Sequence, residues 1–268
     1  MGIHNISEKL KIAQHPNRPN VIDYINLIFP VFIEMHGDRL YGDDPSVIGG
    51  VASLNDIPVT VIGQIRGRNI SENIEYNFSM SHPEGFRKSL RLMKQAEKFR
   101  RPIICFIDTL GAFPGIEAEC RGQNAAIANN LMEMMSLTVP IFSILIGNGV
   151  SGGALALSVA NEIVMLEHAL FSIISPKGCA NILWKDSSRY MEAAELLKMT
   201  AEDIYKLGIA DTIITEPEGG AHTDVNLTAL RIKDTLIYLL EKYRLISGRW
   251  VQKKRYRKFR IIGKQIGK

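Results

Sequence analysis

The sequence predicts an α/β protein. Short apolar runs of strand type alternate with segments whose apolar residues recur at helical spacing. A unit of buried strand, glycine-rich turn and helix also occurs twice, beginning at Ile103 and again 38 residues later at Ile141.

Taken in order, residues 3–14 read as a short helix, broken by the two prolines of HPNRPN (15–20). Asn20 can cap a second helix with Val21, Ile25, Ile28, Phe29 and Phe32 on its apolar face, and Pro30 should kink or end it. The runs 47–54 and 57–65 read as strands, with Asn55-Asp56 as a hairpin turn. Residues 66–83 read as a loop or weak helix, and 84–100 as a helix with Phe86, Leu90 and Met93 on one face. IICFIDT (103–109) is a buried strand leading into Gly111-Ala112-Phe113-Pro114-Gly115, with a long helix expected at 117–137. IFSILI (141–146) is a second buried strand, expected to end in the turn 147–153 before a short helix. Strands at 162–166 and 170–174 follow, then helices near 176–184, 189–198 and 201–207. A strand at 210–214 and an amphipathic helix at 224–246 complete the pattern.

The 268 residues are 46% apolar and 22% charged, which is ordinary globular composition and excludes a disordered chain. Charge is uneven. Residues 249–268 hold nine Lys/Arg and no acid, leaving 23 basic against 28 acidic residues elsewhere, a net of −5. The overall +4 therefore belongs to the tail, and the body gives no reason to expect nucleic-acid binding. Three cysteines without CxxC spacing argue against a disulfide framework and against a structural zinc site in this chain. No apolar run approaches the roughly 20 residues of a membrane helix, and residues 1–14 lack a signal-type apolar core, so the chain is expected to be cytoplasmic.

The run Gly147-Asn148-Gly149-Val150-Ser151-Gly152-Gly153 fits three chemistries. Gly147, Gly149 and Gly152 match a dinucleotide fingerprint, with Glu167 at the right distance to meet a ribose. Gly149-x-Ser151-x-Gly153 matches a nucleophile elbow, with Asp211 and His222 in the chain order of a serine hydrolase; otherwise Ser151 is a helix N-cap and the other two are loop residues. In the third, bare backbone N–H groups at a helix start stabilise an oxyanion, the turn at 111–115 forms a second wall, and glycine is needed because a Cβ would block the substrate oxygen.

Many ordered segments decide among these: HPNRP (15–19), HGDR (36–39), PEGFRKSLRLMKQAEKF (83–99), FIDTLGAFPG (106–115), AECRGQ (118–123), SGGALA (151–156), ISPKGCANILWK (174–185) and EPEGGAH (216–222). With these the chain resembles the carboxyltransferase α subunit of bacterial acetyl-CoA carboxylase, in its short form, over about residues 10–260. The resemblance implies the crotonase-like (ClpP/crotonase) fold of repeated ββα units. It implies transfer of a carboxyl group from carboxybiotin, carried on a separate biotin carboxyl carrier protein, to acetyl-CoA, giving malonyl-CoA for fatty acid synthesis. The backbone N–H groups of Gly152 and Gly153 are implied as the catalytic oxyanion site, with Gly111, Ala112, Phe113, Gly115, Gly149, Ser151 and Gly178 around the substrate. It further implies a carboxyltransferase β subunit as partner in an α2β2 assembly, zinc on β only, and a second oxyanion site on β. No Ala-Met-Lys-Met site is present, so biotin is not expected to be attached here.

The resemblance divides the chain into an N-terminal helical segment (1–46), a crotonase-like domain (47–248) and a basic tail (249–268). The tail is expected to be solvated, or to meet an acidic partner or the CoA phosphates. The loops depart from the family pattern. GEGGSGG has Asn148 for Glu and Val150 for Gly, ISPEG has Lys177 for Glu, DTPGA has Leu110 for Pro, and AEERGQ has Cys120 for Glu. A valine disfavours positive φ, so the loop is expected to have re-formed if that glycine was left-handed. The alternatives are a paralogue acting on another acyl-CoA, a non-catalytic assembly subunit and, more remotely, the hydrolase of Ser151, Asp211 and His222.

Overall fold

The computed structural model describes residues 6–264. α1 (Ile6–Ala13) precedes the proline break, and α2 (Val21–Ile28) begins with a capping box in which Asn20 accepts from the Asp23 N–H while Asp23 accepts from the Asn20 N–H. Pro30 ends α2 outright. Phe32, expected on the helix, lies instead in β1 (Val31–Glu34). β2 (Val47–Leu54) and β3 (Ile57–Gln64) form the hairpin; Asn55 and Asp56 both have positive φ (48° and 61°), as a tight two-residue turn demands.

The polar stretch then holds α3 (Ile70–Glu75) and the short β4 (Met80–Ser81), before α4 (Pro83–Lys98). β5 (Ile103–Thr109) is wholly buried and is followed by β6 (Gly111–Ala112), which pairs with β4. The single long helix expected at 117–137 is two, α5 (Ile116–Cys120) and α6 (Gln123–Ser136), separated by Gly122 at φ 85°.

β7 (Ile141–Val150) is again wholly buried, and α7 (Ser151–Leu155) follows with no intervening loop. The rest runs β8 (Glu162–Leu166), β9 (Leu170–Ser172), α8 (Pro176–Trp184), α9 (Tyr190–Leu196), α10 (Ala201–Lys206), β10 (Thr212–Ile214), α11 (Val225–Tyr243) and α12 (Gly248–Ile261).

The main sheet has the order β1-β2-β3-β5-β7-β8-β10, with β9 also pairing β7. Only the first two pairings are antiparallel. The 38-residue repeat becomes two neighbouring parallel strands, with Ile103 opposite Ile141. Both central strands are covered on each face by helices, which explains their unbroken apolar composition.

The basic tail is not a solvated segment over its described residues. α12 is seated by Arg255, whose fully buried guanidinium donates to the carbonyls of Met134, Leu137 and Val139 and to Asn161 Oδ1. It thereby caps the C-terminus of α6. Burial pulls this guanidinium down to about 10.

Candidate active site

The glycine run is not a turn. Gly147 to Val150 continue β7, and the chain reverses only at Ser151. Val150 is extended (φ −115°, ψ 133°), so a β-branched residue fits; the left-handed position is Ser151, at φ 58°. Ser151 is not the N-cap. Val150 is, and no side chain caps this helix.

Two glycines of the run are set by neighbouring side chains. A Cβ at Gly147 would lie 2.5 Å from the Asp108 carboxylate. Asp108 is buried where the β5–β7 ladder is interrupted between Ile107 and Thr109, and its Oδ1 accepts the Asn148 N–H at 2.8 Å. Burial raises this carboxyl above its usual range, against the pull of Arg66, Asn148 and Arg18. At Gly149 a Cβ would lie 2.5 Å from Leu145 Cδ2 and 3.2 Å from the Leu170 carbonyl, so this glycine admits β9 to the sheet.

Gly152 and Gly153 differ. A Cβ at Gly153 would strike backbone, 2.4 Å from Gly111 C and 2.9 Å from Ala112 N. Gly153 is buried beneath β6, and its carbonyl accepts from the buried Gln64 amide at 2.9 Å. Gly152 is half-buried, and a Cβ there meets only Ile127 at 3.6 Å. The need for glycine at 153 therefore comes from packing against Gly111, not from a substrate oxygen. At the start of α7 these N–H groups have no acceptor within the helix. Five residues make a weak dipole, so the donors themselves carry any anion affinity.

The opposite wall is rigid. Gly111, at φ 135°, exchanges hydrogen bonds with the Thr109 hydroxyl, and the Phe113 N–H donates to the Ser81 carbonyl. Gln123 donates to the carbonyls of both Ser81 and Phe113, and the Phe113 ring stacks on His82 at 4.1 Å. Ala112 is half-buried beside Ile127, and Gly115 caps α5. Gly178 lies in the first turn of α8, donating to the Ser175 hydroxyl at 3.2 Å.

The two rival readings are not built. Asp211 accepts from the Ile163 N–H and from Lys258, while His222 stacks on His15 at 3.7 Å. Among the described residues no hydrogen bond joins Ser151, Asp211 and His222. The dinucleotide fingerprint needs a glycine turn and a long helix where the chain has strand and one short turn of helix. Glu167, its ribose contact, instead accepts the Glu216 N–H.

Sequence reasoning passed over Gln64, Asp108 and the buried Arg18–Glu216 pair. Arg18 grips both Glu216 oxygens (2.9 and 2.6 Å) and donates to the Ile146 carbonyl, fixing the strand just before the glycines. The available signal was a polar residue at or near the end of an otherwise apolar strand, as in IPVTVIGQ and IICFIDT.

The sequence matches the acetyl co-enzyme A carboxylase carboxyltransferase-like family model over residues 4–263. The chain belongs to this family. Among its relatives, the acetyl-coenzyme A carboxylase carboxyl transferase subunit alpha of Listeria welshimeri is 56% identical over 256 residues, 96% of this chain and 80% of that protein. The subunit of the same name from Clostridium botulinum is 57% identical, covering 96% of this chain and 93% of that one. Of solved structures, transcarboxylase 12S superposes with a TM-score of 0.69 at 17% identity over 90% of this chain and 45% of its own. The β subunit of Pseudomonas aeruginosa geranyl-CoA carboxylase gives 0.66 at 15% identity, covering 89% and 45%. At such low identity the likeness is one of fold, and the family's crotonase-like fold is the one present. No helix among the described residues is long and apolar enough to cross a membrane.

Proposed function

We propose that this chain is the α subunit of an acetyl-CoA carboxylase carboxyltransferase, moving a carboxyl group from carboxybiotin on a carrier protein to acetyl-CoA to give malonyl-CoA. The carrying observation is the pair of backbone N–H groups at Gly152 and Gly153, the latter packed beneath β6, in a chain 56% identical to proteins so named. The residues suit an anionic oxygen: the donors lack helical acceptors, Gly152 is half-exposed, and the space above its Cα is open to 3.6 Å. Carboxybiotin supplies an activated carboxyl group and, once that group has left, a basic ring nitrogen.

This chain's part is electrostatic. The Gly152 and Gly153 N–H groups stabilise charge on the ureido oxygen, and one such donor is worth about 3–4 kcal/mol of barrier. Because both are backbone atoms on a braced helix start, they need no reorganisation as charge develops. Gly111, Ala112 and Phe113 form the facing wall. The enolate of acetyl-CoA is assigned to a site on the β subunit, as is the zinc. In this reading the chain works in an α2β2 assembly in the cytoplasm.

The test is reconstitution with the β subunit from the same source, followed by malonyl-CoA formation from carboxylated carrier and acetyl-CoA. Activity in the mixture but in neither part alone is expected. A stable assembly that forms no malonyl-CoA, or that carboxylates a different acyl-CoA instead, overturns the assignment.

A further inference from the structure

The helix that carries the glycine pair cannot hold itself. α7 has five residues, too few for a helix to be stable on its own hydrogen bonds. The direction of its N–H groups is therefore set from outside, and the contacts that set it lie on carbonyls in and just after the helix. Three fully buried side chains from three other elements donate to them. Gln64 of β3 reaches the Gly153 carbonyl at 2.9 Å, and Asn130 of α6 reaches the Ala156 carbonyl at 3.3 Å. Ser143 of β7 reaches the Leu157 carbonyl at 2.5 Å. The two amides leave their own oxygens, Gln64 Oε1 and Asn130 Oδ1, buried and unbonded among the described residues. In both side chains the donor half is the half that is used, and it holds α7.

The Ser143 bond continues through the peptide groups. The Leu157 carbonyl shares its peptide with the Ser158 N–H, which donates to the Leu155 carbonyl at 2.9 Å. The Leu155 carbonyl shares its peptide with the Ala156 N–H, which donates to the Gly152 carbonyl at 3.0 Å. The Gly152 carbonyl shares its peptide with the Gly153 N–H. An unbroken chain of three hydrogen bonds thus runs from a buried hydroxyl to one donor of the glycine pair. Hydrogen bonds in series polarise one another, by about 10–30% each. Ser143 is also the one polar residue of IFSILI (141–146), in a strand buried throughout. A hydroxyl there must find an acceptor, and the acceptor it finds is the first carbonyl of this chain.

We infer that Ser143 is a positioning residue for the Gly153 N–H, at the head of this hydrogen-bond chain, with Gln64 and Asn130 fixing the axis of α7. This rests on the function proposed above, in which the Gly153 N–H stabilises an oxyanion. Ser143 is fully buried and touches no substrate. It acts through α7, by strengthening the Gly153 N–H as a donor and by holding its direction. A stronger donor gains most where charge is greatest, so the effect falls on kcat and not on KM.

The test uses the complex assembled with the β subunit and reads malonyl-CoA formation and amide hydrogen exchange over residues 151–158. Ser143→Ala removes the hydroxyl, whereas Ser143→Thr keeps it and adds a methyl to a packed position. For Ser143→Ala the expected result is a fall of about three- to ten-fold in kcat, a fraction of the roughly 100- to 1000-fold that a whole donor is worth. KM for both substrates should be unchanged, and exchange over 151–158 should quicken. Ser143→Thr should melt at a lower temperature than the parent yet keep kcat within about two-fold. Gln64→Met removes the donor on Gly153 itself and should lower kcat by at least as much as Ser143→Ala. The inference is overturned if Ser143→Ala keeps the parental kcat or the parental exchange. It is also overturned if the alanine and threonine variants lose rate in proportion to lost stability, which would make Ser143 a support of the fold alone. Should the threonine variant not fold, Ser143→Cys, a weak donor, takes its place, and a cysteine variant no faster than alanine overturns the inference. An unmodified complex that transfers no carboxyl group refutes the proposed function itself, whereas an active parent with an unmoved Ser143→Ala kcat refutes only this inference.

Discussion

Replacing Gly153 and Gly152 separately by alanine divides packing from chemistry. At Gly153 the new methyl would sit 2.4 Å from Gly111 C and 2.6 Å from Gly111 O. Ordinary carbon contacts lie about 3.5–4.0 Å apart, so roughly 1 Å of movement is required. The obstacle is backbone, held by Thr109 and by the β4–β6 pairing, and cannot rotate away. Overpacking of this kind costs about 1–3 kcal/mol. The shift also displaces a donor, for which a loss of about 100-fold or more in kcat is expected. At Gly152 the methyl would meet Ile127 at 3.6 Å, an ordinary contact, and alanine in a helix is favoured over glycine by about 1 kcal/mol. Gly152→Ala should therefore unfold no more easily than the parent. Any loss of rate there reports crowding of the substrate oxygen alone. Urea unfolding of each variant and steady-state rates with the assembled complex measure both quantities. A Gly153→Ala protein with parental stability and rate would refute the account of this contact.

Other outcomes follow from the same structure. Ser151 makes no capping bond and stands at φ 58°, so Ser151→Gly should gain about 0.5–1 kcal/mol and keep kcat within ten-fold, whereas a serine nucleophile would lose several orders of magnitude. Lys177 lies in the first turn of α8, where a cation opposes the helix dipole; Lys177→Glu should raise stability by about 0.5 kcal/mol at low salt, less at high salt, by thermal melting. Burial pushes the Asp38 carboxyl up, but the N–H groups of Leu40, Tyr41 and Gly42 and the Arg87 guanidinium overcome this and hold it at about 2. Its contribution of about 2 kcal/mol is thus present above pH 4 and lost as pH falls towards 2; Asp38→Asn should flatten that limb of a urea stability profile.

Elements with a local cause were legible in the sequence. Asn20 and Asp23 form their capping box wherever the helix sits, and Asn55-Asp56 tolerates the left-handed turn the hairpin needs. Errors arose where two periods or two roles fit the same residues. Phe29 and Phe32 suit a helix face as well as a strand, and only the pairing of Phe32 with Ala52 settles β1. The glycine run 147–153 reads as a turn, yet 147–150 continue β7, and Gly147 and Gly149 are glycine because Asp108 and Leu145 occupy the space of a side chain. At Gly122 the opposite error hid a real break. α12 was illegible for a physical reason: a run of cations without acids looks solvated until tertiary structure supplies three carbonyls for Arg255. The expected approach of 111–115 to the glycine run is present, in that Gly153 packs against Gly111 and Ala112. The supports of this contact were not legible, because Gln64 reaches Gly153 across 89 residues.

The departures from the family loop fall where the structure can absorb them. Val150 occupies extended backbone and pairs with Ser172, so a branched side chain favours the conformation already present. Asn148 is buried beside Asp108, whose carboxyl is itself fully buried with no cation hydrogen-bonded to it among the described residues. A second carboxylate there would add like charge to a site that already disfavours the first; an amide does not. Leu110 and Cys120 are exposed, as is Lys177, so none of the three disturbs the core. In the proposed mechanism the chemistry rests on the position of two backbone N–H groups, and that stretch of chain is held by Asp108 and Arg18 on the strand and by Gly111 against Gly153. The side chains at 148 and 150 can change so long as β7 stays straight to Val150 and the chain reverses at Ser151, whereas Gly147, Gly149 and Gly153 have no room for a Cβ. If the backbone carries the function as proposed, the residues at 148 and 150 are compatible with full carboxyl transfer, because neither alters the course of β7.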